Sequence, residues 1–363
     1  MPDCMSSRTR FLTALVCGQP DRVPMFDFLF SRALYDYILG TRNSDNTPEN
    51  GVRVARTLGT DCLCVNPKGL PPAQEGAALP PGITRNEWGT MYKRLDDTWC
   101  STGPVAWPLK DRSDWCNYSL PDPNDPRRME PVREAVKLTR DGSLAIMGAV
   151  GGPLTAAYEG LFNPQDFFTL LHDDPELIDE VMSALTDYNL RIGLHLVEAG
   201  VDCLCIPDDM GFVNGPLMSP RMFRRFVLPH FRRLAQGLRQ TGLPILMHND
   251  GDLRLLLDDL VDTGINGYHP VERAARMDLA ECKRRYAGRL CLVGNVDNKH
   301  LMVNGTPEEI AAQVKECLRI AAPGGGYVLA SDHSLHDDQP IANVFALFEA
   351  GKRYGDYATP IWR

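Results

Sequence analysis

Eight short apolar runs recur along the 363 residues of this chain, at 23–28, 62–65, 145–150, 203–206, 245–248, 265–268, 291–294 and 327–330. No other feature constrains the fold as much. Each run is continuous rather than alternating in hydrophobicity, which suits strands covered on both faces in a parallel sheet. Parallel neighbours need crossover connections, and helical segments with clear start signals lie between the runs. Asn163-Pro164 opens one, with proline at the first helical position. Asp174-Pro175-Glu176 opens a long one that runs to about Ala199 and is closed by Gly200. Ser219-Pro220 opens a helix over 221–239, with Gly242 beyond it. Thr306-Pro307-Glu308-Glu309 is a capping box, followed by Ile310, Val314 and Leu318 on one face. The alternation predicts an α/β fold, a (β/α)8 TIM barrel. A doubly wound sheet is the runner-up, but no glycine-rich dinucleotide fingerprint follows the first run.

Residues 1–363 read as a single barrel domain. Residues 67–142 break the alternation with Pro71-Pro72, Pro80-Pro81-Gly82 and Pro121-Asp122-Pro123. They read as an insertion, a lid between the second and third strands, with a small hairpin around Trp88 to Trp99. Long loops of this kind often cover a barrel mouth.

Lysine and arginine number 38 against 47 aspartates and glutamates, a net charge of −9. An acidic chain without a basic block is a poor partner for a phosphate backbone, so nucleic acid is not expected. No apolar run approaches the ~20 residues of a membrane span, and the first residues lack a signal-peptide pattern. The 11 cysteines are odd in number and contain no Cys-x-x-Cys, which suits reduced thiols in the cytoplasm. Cys62-x-Cys64 and Cys203-x-Cys205 read as small buried apolar residues sharing a face of their strands. The oligomeric state stays open, with a homodimer as the candidate assembly.

In a barrel of this type the chemistry lies at the C-terminal ends of the strands. There the chain places Asp27 within Phe26-Asp27-Phe28, Asn66, Tyr158-Glu159, Asp208-Asp209, His248-Asn249-Asp250, His269, Asn295 and Asp332-His333. Several His and Asp ends converging on one mouth make a metal-site constellation. His248 and Asp250, two apart at a strand end, project to the same side. His333 approaches from a neighbouring strand end, giving three protein ligands and an open position. Spacing alone does not separate zinc from non-haem iron. Asp208 and Asp209 are candidates for orienting substrate or relaying protons. His269 is a candidate neighbour of the metal or donor to a leaving group. Phe26, Phe28 and Tyr158 are candidate substrate walls, with Asp27, Glu159 and Asn295 beside them.

Several segments together resemble the uroporphyrinogen decarboxylase superfamily. They are Arg10-Phe11-Leu12-Thr13-Ala14-Leu15 leading to Pro20-Asp21-Arg22-Val23-Pro24, Asn86-Glu87-Trp88-Gly89-Thr90, Ser219-Pro220-Arg221-Met222-Phe223 with Pro229-His230, His248-x-Asp250-Gly251, Gly294-Asn295-Val296-Asp297, and Gly325-Gly326-Tyr327 to Pro340. The superfamily includes a decarboxylase of haem biosynthesis and cobamide-dependent methyltransferases. The decarboxylase carries an arginine-rich N-terminal segment for its substrate's carboxylates. Here the stretch Asp27-Phe28-Leu29-Phe30-Ser31-Arg32 has a single arginine, which argues against that branch. The methyltransferase branch holds zinc on a His-x-Cys and a later Cys. His248 matches the first ligand, while Asp250 and His333 stand where the cysteines would be. The resemblance therefore implies zinc or another divalent metal on a harder ligand set, suited to polarising an oxygen rather than activating a thiol. The expected activity is demethylation of a small methoxylated or otherwise methylated substrate onto a Co(I) corrinoid supplied by a partner protein. A decarboxylase and a non-catalytic binding barrel are the alternatives.

Overall fold

The computed structural model describes residues 5–72, 79–95, 99, 102–358 and 360. Seven strands form one parallel sheet in the order Cys62–Val65, Ala145–Ala149, Cys203–Pro207, Ile245–His248, Gly267–His269, Cys291–Val293 and Tyr327–Val328. Every adjacent pair is parallel, and helices cover the outside. The first apolar run is not a regular strand. It nonetheless fills the gap between the last strand and the first. On one side Phe26 N–H donates to Leu329 O at 3.1 Å and Leu329 N–H to Pro24 O at 2.9 Å. On the other, Asp61 N–H donates to Met25 O at 2.7 Å, while Met25 N–H goes to the Asp61 carboxylate at 2.9 Å. The ladder is irregular because Pro24 has no N–H and because a side chain takes the place of a backbone acceptor.

The two faces of the strands separate with period two. Cys62, Ala145, Met147, Cys203, Cys205, Leu246, Cys291, Val293 and Val328 form one cluster with Phe26 and Phe28. Leu63, Val65, Ile146, Leu204, Ile206, Ile245, Met247 and Leu292 belong to the other, packed on the helices. The first set is the barrel interior. Phe11, Ala14 and Leu15 of the helix Ser7–Leu15 join it and plug the end where the strands begin. A Cβ at Gly267, the first residue of its strand, would lie 2.7 Å from Leu15 Cδ1, so the helix approaches that closely only over a glycine. The nine cysteines among the described residues are unpaired. Burial pushes the thiols of Cys62, Cys64 and Cys205 well above their ordinary range, as fits inert filling.

The helices follow their start signals. Asn163 Oδ1 accepts from Gln165 N–H at the head of Pro164–Asp173. The long helix Pro175–Ala199 ends on Gly200 at φ 94°. Both halves of the Thr306–Glu309 capping box form. The expected single helix over 221–239 divides into Pro220–Phe226 and Leu228–Arg239, because Pro229 removes a helical N–H donor.

Within 67–142, strands Ile83–Arg85, Met91–Arg94 and Thr102–Ala106 make a separate antiparallel sheet. The hairpin expected around Trp88 to Trp99 falls within this sheet, whose middle strand Met91–Arg94 pairs antiparallel on both sides; at the turn 86–90, Asn86 Oδ1 accepts from Trp88 and Thr90 N–H. Part of the 94–102 connection lies outside the described residues. The helix Glu130–Leu138 buries Val132 and Ala135 as the crossover between the first two sheet strands. A buried ion pair ties the small sheet to the barrel. Arg128 Nη1 meets Glu87 Oε1 at 2.7 Å, and the Arg128 guanidinium lies 6.0 Å from the Tyr188 ring on the long helix.

Candidate metal centre and cavity at the strand ends

His248 is the last residue of its strand, and the chain turns sharply two residues later. Gly251 has φ 97°, and a Cβ there would sit 2.5 Å from the Gly211 carbonyl carbon. Only glycine lets the 245–251 segment pass so close to the neighbouring loop. That turn sets Asp250 beside His248. Asp209 follows the preceding strand, and its Oδ1 accepts from Asp250 N–H at 3.1 Å. Asp209, His248 and Asp250 each offer one ligand atom, and those atoms lie within 4.8 Å of one another.

His333 reaches the same place from the loop after the last strand. Its Nε2 is 3.0 Å from Asp250 Oδ2, and His248 Nε2 is 3.7 Å from the same oxygen. His333 thus stands within ion-pair distance of Asp250, while Asp209 joins His248 and Asp250 in the set whose ligand atoms lie together. Burial alone would raise the Asp250 carboxyl, but the hydrogen bond from His333 and the charges of the neighbouring histidines hold it at about 2. The same hydrogen bond pushes His333 up to about 9. Burial raises Asp209, helped by the charge of Asp250. Two carboxylates this close disfavour each other's charge, and a shared cation would relieve that. The second Asp250 oxygen, Oδ1, is buried with no hydrogen-bond partner. An orphaned carboxylate oxygen in a set of two carboxylates and an imidazole fits a hard or borderline divalent ion.

His269 ends the adjacent strand, fully buried, with its Nδ1 2.7 Å from His248 Nδ1. Burial and the neighbouring His248 hold it well below the usual histidine range, so it is neutral. For His248 to present the Nε2 lone pair to an ion, its Nδ1–H must donate to His269. His269 then orients the ligand, as a second histidine or carboxylate commonly does. Phe28 lies edge-on to both rings, at 5.0 and 5.2 Å.

The remaining candidates separate. Asp27 and Phe28 line a cavity of about 710 Å3 that runs from His248 and Asp209 outward past Asn66 and Lys68. Asp27 is buried; its Oδ2 accepts from Ser331 N–H at 2.9 Å, and its Oδ1 has no partner. Burial pushes its carboxyl up to about 7. Asp208 is also pushed by burial to about 7, but it serves the backbone, accepting from Thr155 N–H at 2.8 Å and Leu154 N–H at 3.4 Å. Phe26 is packed in the barrel interior between Phe11 and Phe28. Tyr158 packs on Phe167 and Phe168, and burial raises the neighbouring Glu159; neither residue lines the cavity. Asn295 Nδ2 donates to Val271 O at 2.9 Å, and the residue opens onto a different, outer pocket. Sequence reasoning missed Glu272, whose Oε2 accepts from Gly251 N–H at 2.7 Å and so braces the turn beneath Asp250. It also missed Glu130 and Glu134 as cavity residues. Glu130 and Glu134 sit on the helix Glu130–Leu138, where no pattern marks them; Glu272 follows the strand Gly267–His269 by three residues, so a wider reading of that strand end would have included it.

The family described as Uroporphyrinogen decarboxylase (URO-D) matches residues 101–354. Among curated proteins the chain is similar to the methylcobamide:CoM methyltransferase MtaA of Methanosarcina barkeri, 27% identical over 230 residues. That match covers 62% of this chain, and the chain spans 64% of the length of that relative. It is also similar to the uroporphyrinogen decarboxylase of Myxococcus xanthus, 29% identical over 260 residues, with 68% of this chain and 70% of the relative covered. In three dimensions it resembles a methyltransferase from Methanosarcina mazei, with a TM-score of 0.74 at 22% identity, over 96% of this chain and 99% of the other.

Proposed function

The chain belongs to the uroporphyrinogen decarboxylase family, and from that premise we propose that it is a corrinoid-dependent methyltransferase that demethylates a small methoxylated compound. The observation that carries this reading is the cluster of Asp209, His248 and Asp250 at the inner end of the cavity. These are the residues that would hold a divalent ion, zinc or another, with His333 neutralising Asp250 and His269 fixing the His248 ring. When bound, such an ion acts as a Lewis acid toward an ether oxygen, the poor leaving group in this chemistry. In the overall transfer the methyl–oxygen bond breaks with its electron pair on oxygen, and the methyl group passes to the Co(I) corrinoid of a partner protein. Asp27, held near neutrality at the cavity wall, is placed to exchange a proton with the released hydroxyl. Phe28 and Phe30 shield the reacting end from water. The corrinoid protein would dock on the described part of the 67–142 segment, such as the antiparallel sheet Ile83–Arg85, Met91–Arg94 and Thr102–Ala106.

Decarboxylation of a porphyrinogen is the second reading, favoured by relatives such as that of Myxococcus xanthus. The cavity argues against it. Its charged lining is chiefly acidic, which is unfavourable for a substrate with several carboxylates. Metal content of the anaerobically purified protein separates the readings. About one equivalent of divalent metal is expected in wild type, and most of it should be lost in Asp209→Ala and in His248→Ala. Uroporphyrinogen consumption by a metal-free wild type would refute the proposal.

A further inference from the structure

Three loops at the strand ends meet on one carboxylate outside the metal cluster. Asp332 follows the strand Tyr327–Val328 and is 3% exposed. Its Oδ1 accepts from Asn298 N–H at 2.7 Å, in the loop after Cys291–Val293. Its Oδ2 accepts from Arg273 N–H at 2.9 Å, in the loop after Gly267–His269. Its own N–H donates to Val296 O at 2.8 Å. The Arg273 side chain ties two of these loops again, with Nε donating to Asn295 O at 2.6 Å. A buried aspartate with both oxygens on backbone donors of other loops fixes those loops as well as itself.

The residues next to these contacts both reach the turn that carries Asp250. Glu272 precedes Arg273, and its Oε2 accepts from Gly251 N–H at 2.7 Å. His333 follows Asp332, and its Nε2 lies 3.0 Å from Asp250 Oδ2. Asp332 itself does not line the cavity, so it can act on the cluster only through these neighbours. Groups one step removed from a ligand commonly set how tightly an ion is held. Resting on the divalent-ion reading above, we propose that Asp332 is a positioning residue for the metal centre: it places Glu272 and His333 against the 250–251 turn, and through them sets the affinity for a divalent cation.

Asp332→Asn keeps the shape and one acceptor, but turns the other oxygen into a donor facing a backbone N–H. Zinc affinity, measured by competition with a chromophoric chelator, should fall about tenfold in this variant. Added to a His333→Ala, Glu272→Gln double variant, the same substitution should change the affinity less than about twofold, because the side chains it acts through are gone. Hydrogen exchange of the metal-free protein gives a second reading. Gly251 N–H should exchange faster in Asp332→Asn, with the strand Ile245–His248 unchanged. Asp332→Ser, which retains a smaller acceptor, serves the same comparisons if Asp332→Asn does not fold. Arg128→Ala, destabilised at the clamp to the small sheet, should leave both readings at wild type. Zinc binding or Gly251 exchange that the Asp332 variants leave unchanged overturns the positioning role alone, as does a loss of affinity that persists undiminished in the double variant or recurs in Arg128→Ala. Absence of zinc binding by wild type overturns the metal reading, and the inference with it.

Discussion

Asp61→Ala should open the barrel where its wall is weakest. The Asp61 side chain is wholly buried and holds Arg10 Nη1 at 2.7 Å and Arg22 Nη2 at 2.9 Å. It also accepts the Met25 N–H that would otherwise lack a partner in the irregular closing segment. Truncation leaves the nearly buried Arg10 on Asp21, at 2.6 and 2.9 Å, leaves Arg22 without its carboxylate and orphans a backbone donor. Breaking a buried pair by removing one partner costs about 3–5 kcal/mol, and an orphaned donor about 1–3 kcal/mol. These losses share one site and do not add, so the net expectation is about 4 kcal/mol. At about 2.1 cal/mol/K per residue, a chain of 363 residues unfolds with an entropy of roughly 0.8 kcal/mol/K. The midpoint should therefore fall by about 5 °C. Asp61→Asn, which keeps an acceptor for Met25, should lose roughly half as much. Differential scanning calorimetry and urea unfolding of the three proteins provide the check. The closing segment carries Asp27 and Phe28, so Asp61→Ala should also weaken binding of 2-methoxyphenol. A variant within about 1 kcal/mol of wild type would refute the view that Asp61 pins the closure.

Two further perturbations follow from buried charges. Arg128→Ala removes the clamp between the three-stranded sheet and the long helix, where the Arg128 and Glu87 side chains are 4% and 9% exposed. It should destabilise that attachment by about 3–5 kcal/mol, read as faster limited proteolysis within 83–106 while the barrel's circular dichroism is retained. Asp27 is displaced upward, from its ordinary 3.8 to about 7, so the folded state binds its proton more tightly than the unfolded chain does. Its contribution to stability is full below about pH 4 and is lost as pH rises toward 7, by roughly 4 kcal/mol in all. Asp27→Asn should therefore gain stability relative to wild type across that window and not below it. A difference curve from chemical unfolding that stays flat between pH 4 and 7 would contradict the assignment.

The strands were legible because parallel strands buried on both faces read as continuous apolar runs, and seven of the eight runs form the sheet. The eighth, at 23–28, has the right composition, but Pro24 and the Asp61 side chain disrupt its ladder. Pro24 is visible in the sequence; a carboxylate 36 residues away accepting the Met25 N–H is not. Pro229 was equally visible, and its break in the 221–239 helix follows from the missing N–H. At the mouth, the His248-x-Asp250-Gly251 pattern reads directly as two groups on one side followed by an obligatory glycine turn. The pair Asp208-Asp209 does not sort itself, because successive residues at a strand end project to opposite sides. Only the fold shows Asp208 committed to Thr155 N–H and Asp209 beside Asp250. His333 was expected as a ligand, and its loop brings its Nε2 to 3.0 Å from Asp250 Oδ2. Tyr158 and Glu159 follow a strand as expected, yet the turn Ala156–Leu161 coils them against Phe167 and Phe168 instead of the cavity.

The proposed activity rests on methyl transfer that depends on the Asp209–His248–Asp250 cluster. Anaerobic incubation of metal-loaded protein with Co(I) cobalamin and 2-methoxyphenol, followed by absorbance, tests it most directly. Methylated cobalamin should accumulate with wild type. With His248→Ala it should fall by about 100-fold or more, the scale of losing a group that stabilises charge in the transition state. No methyl transfer by wild type, or transfer by His248→Ala at the wild-type rate, would contradict it.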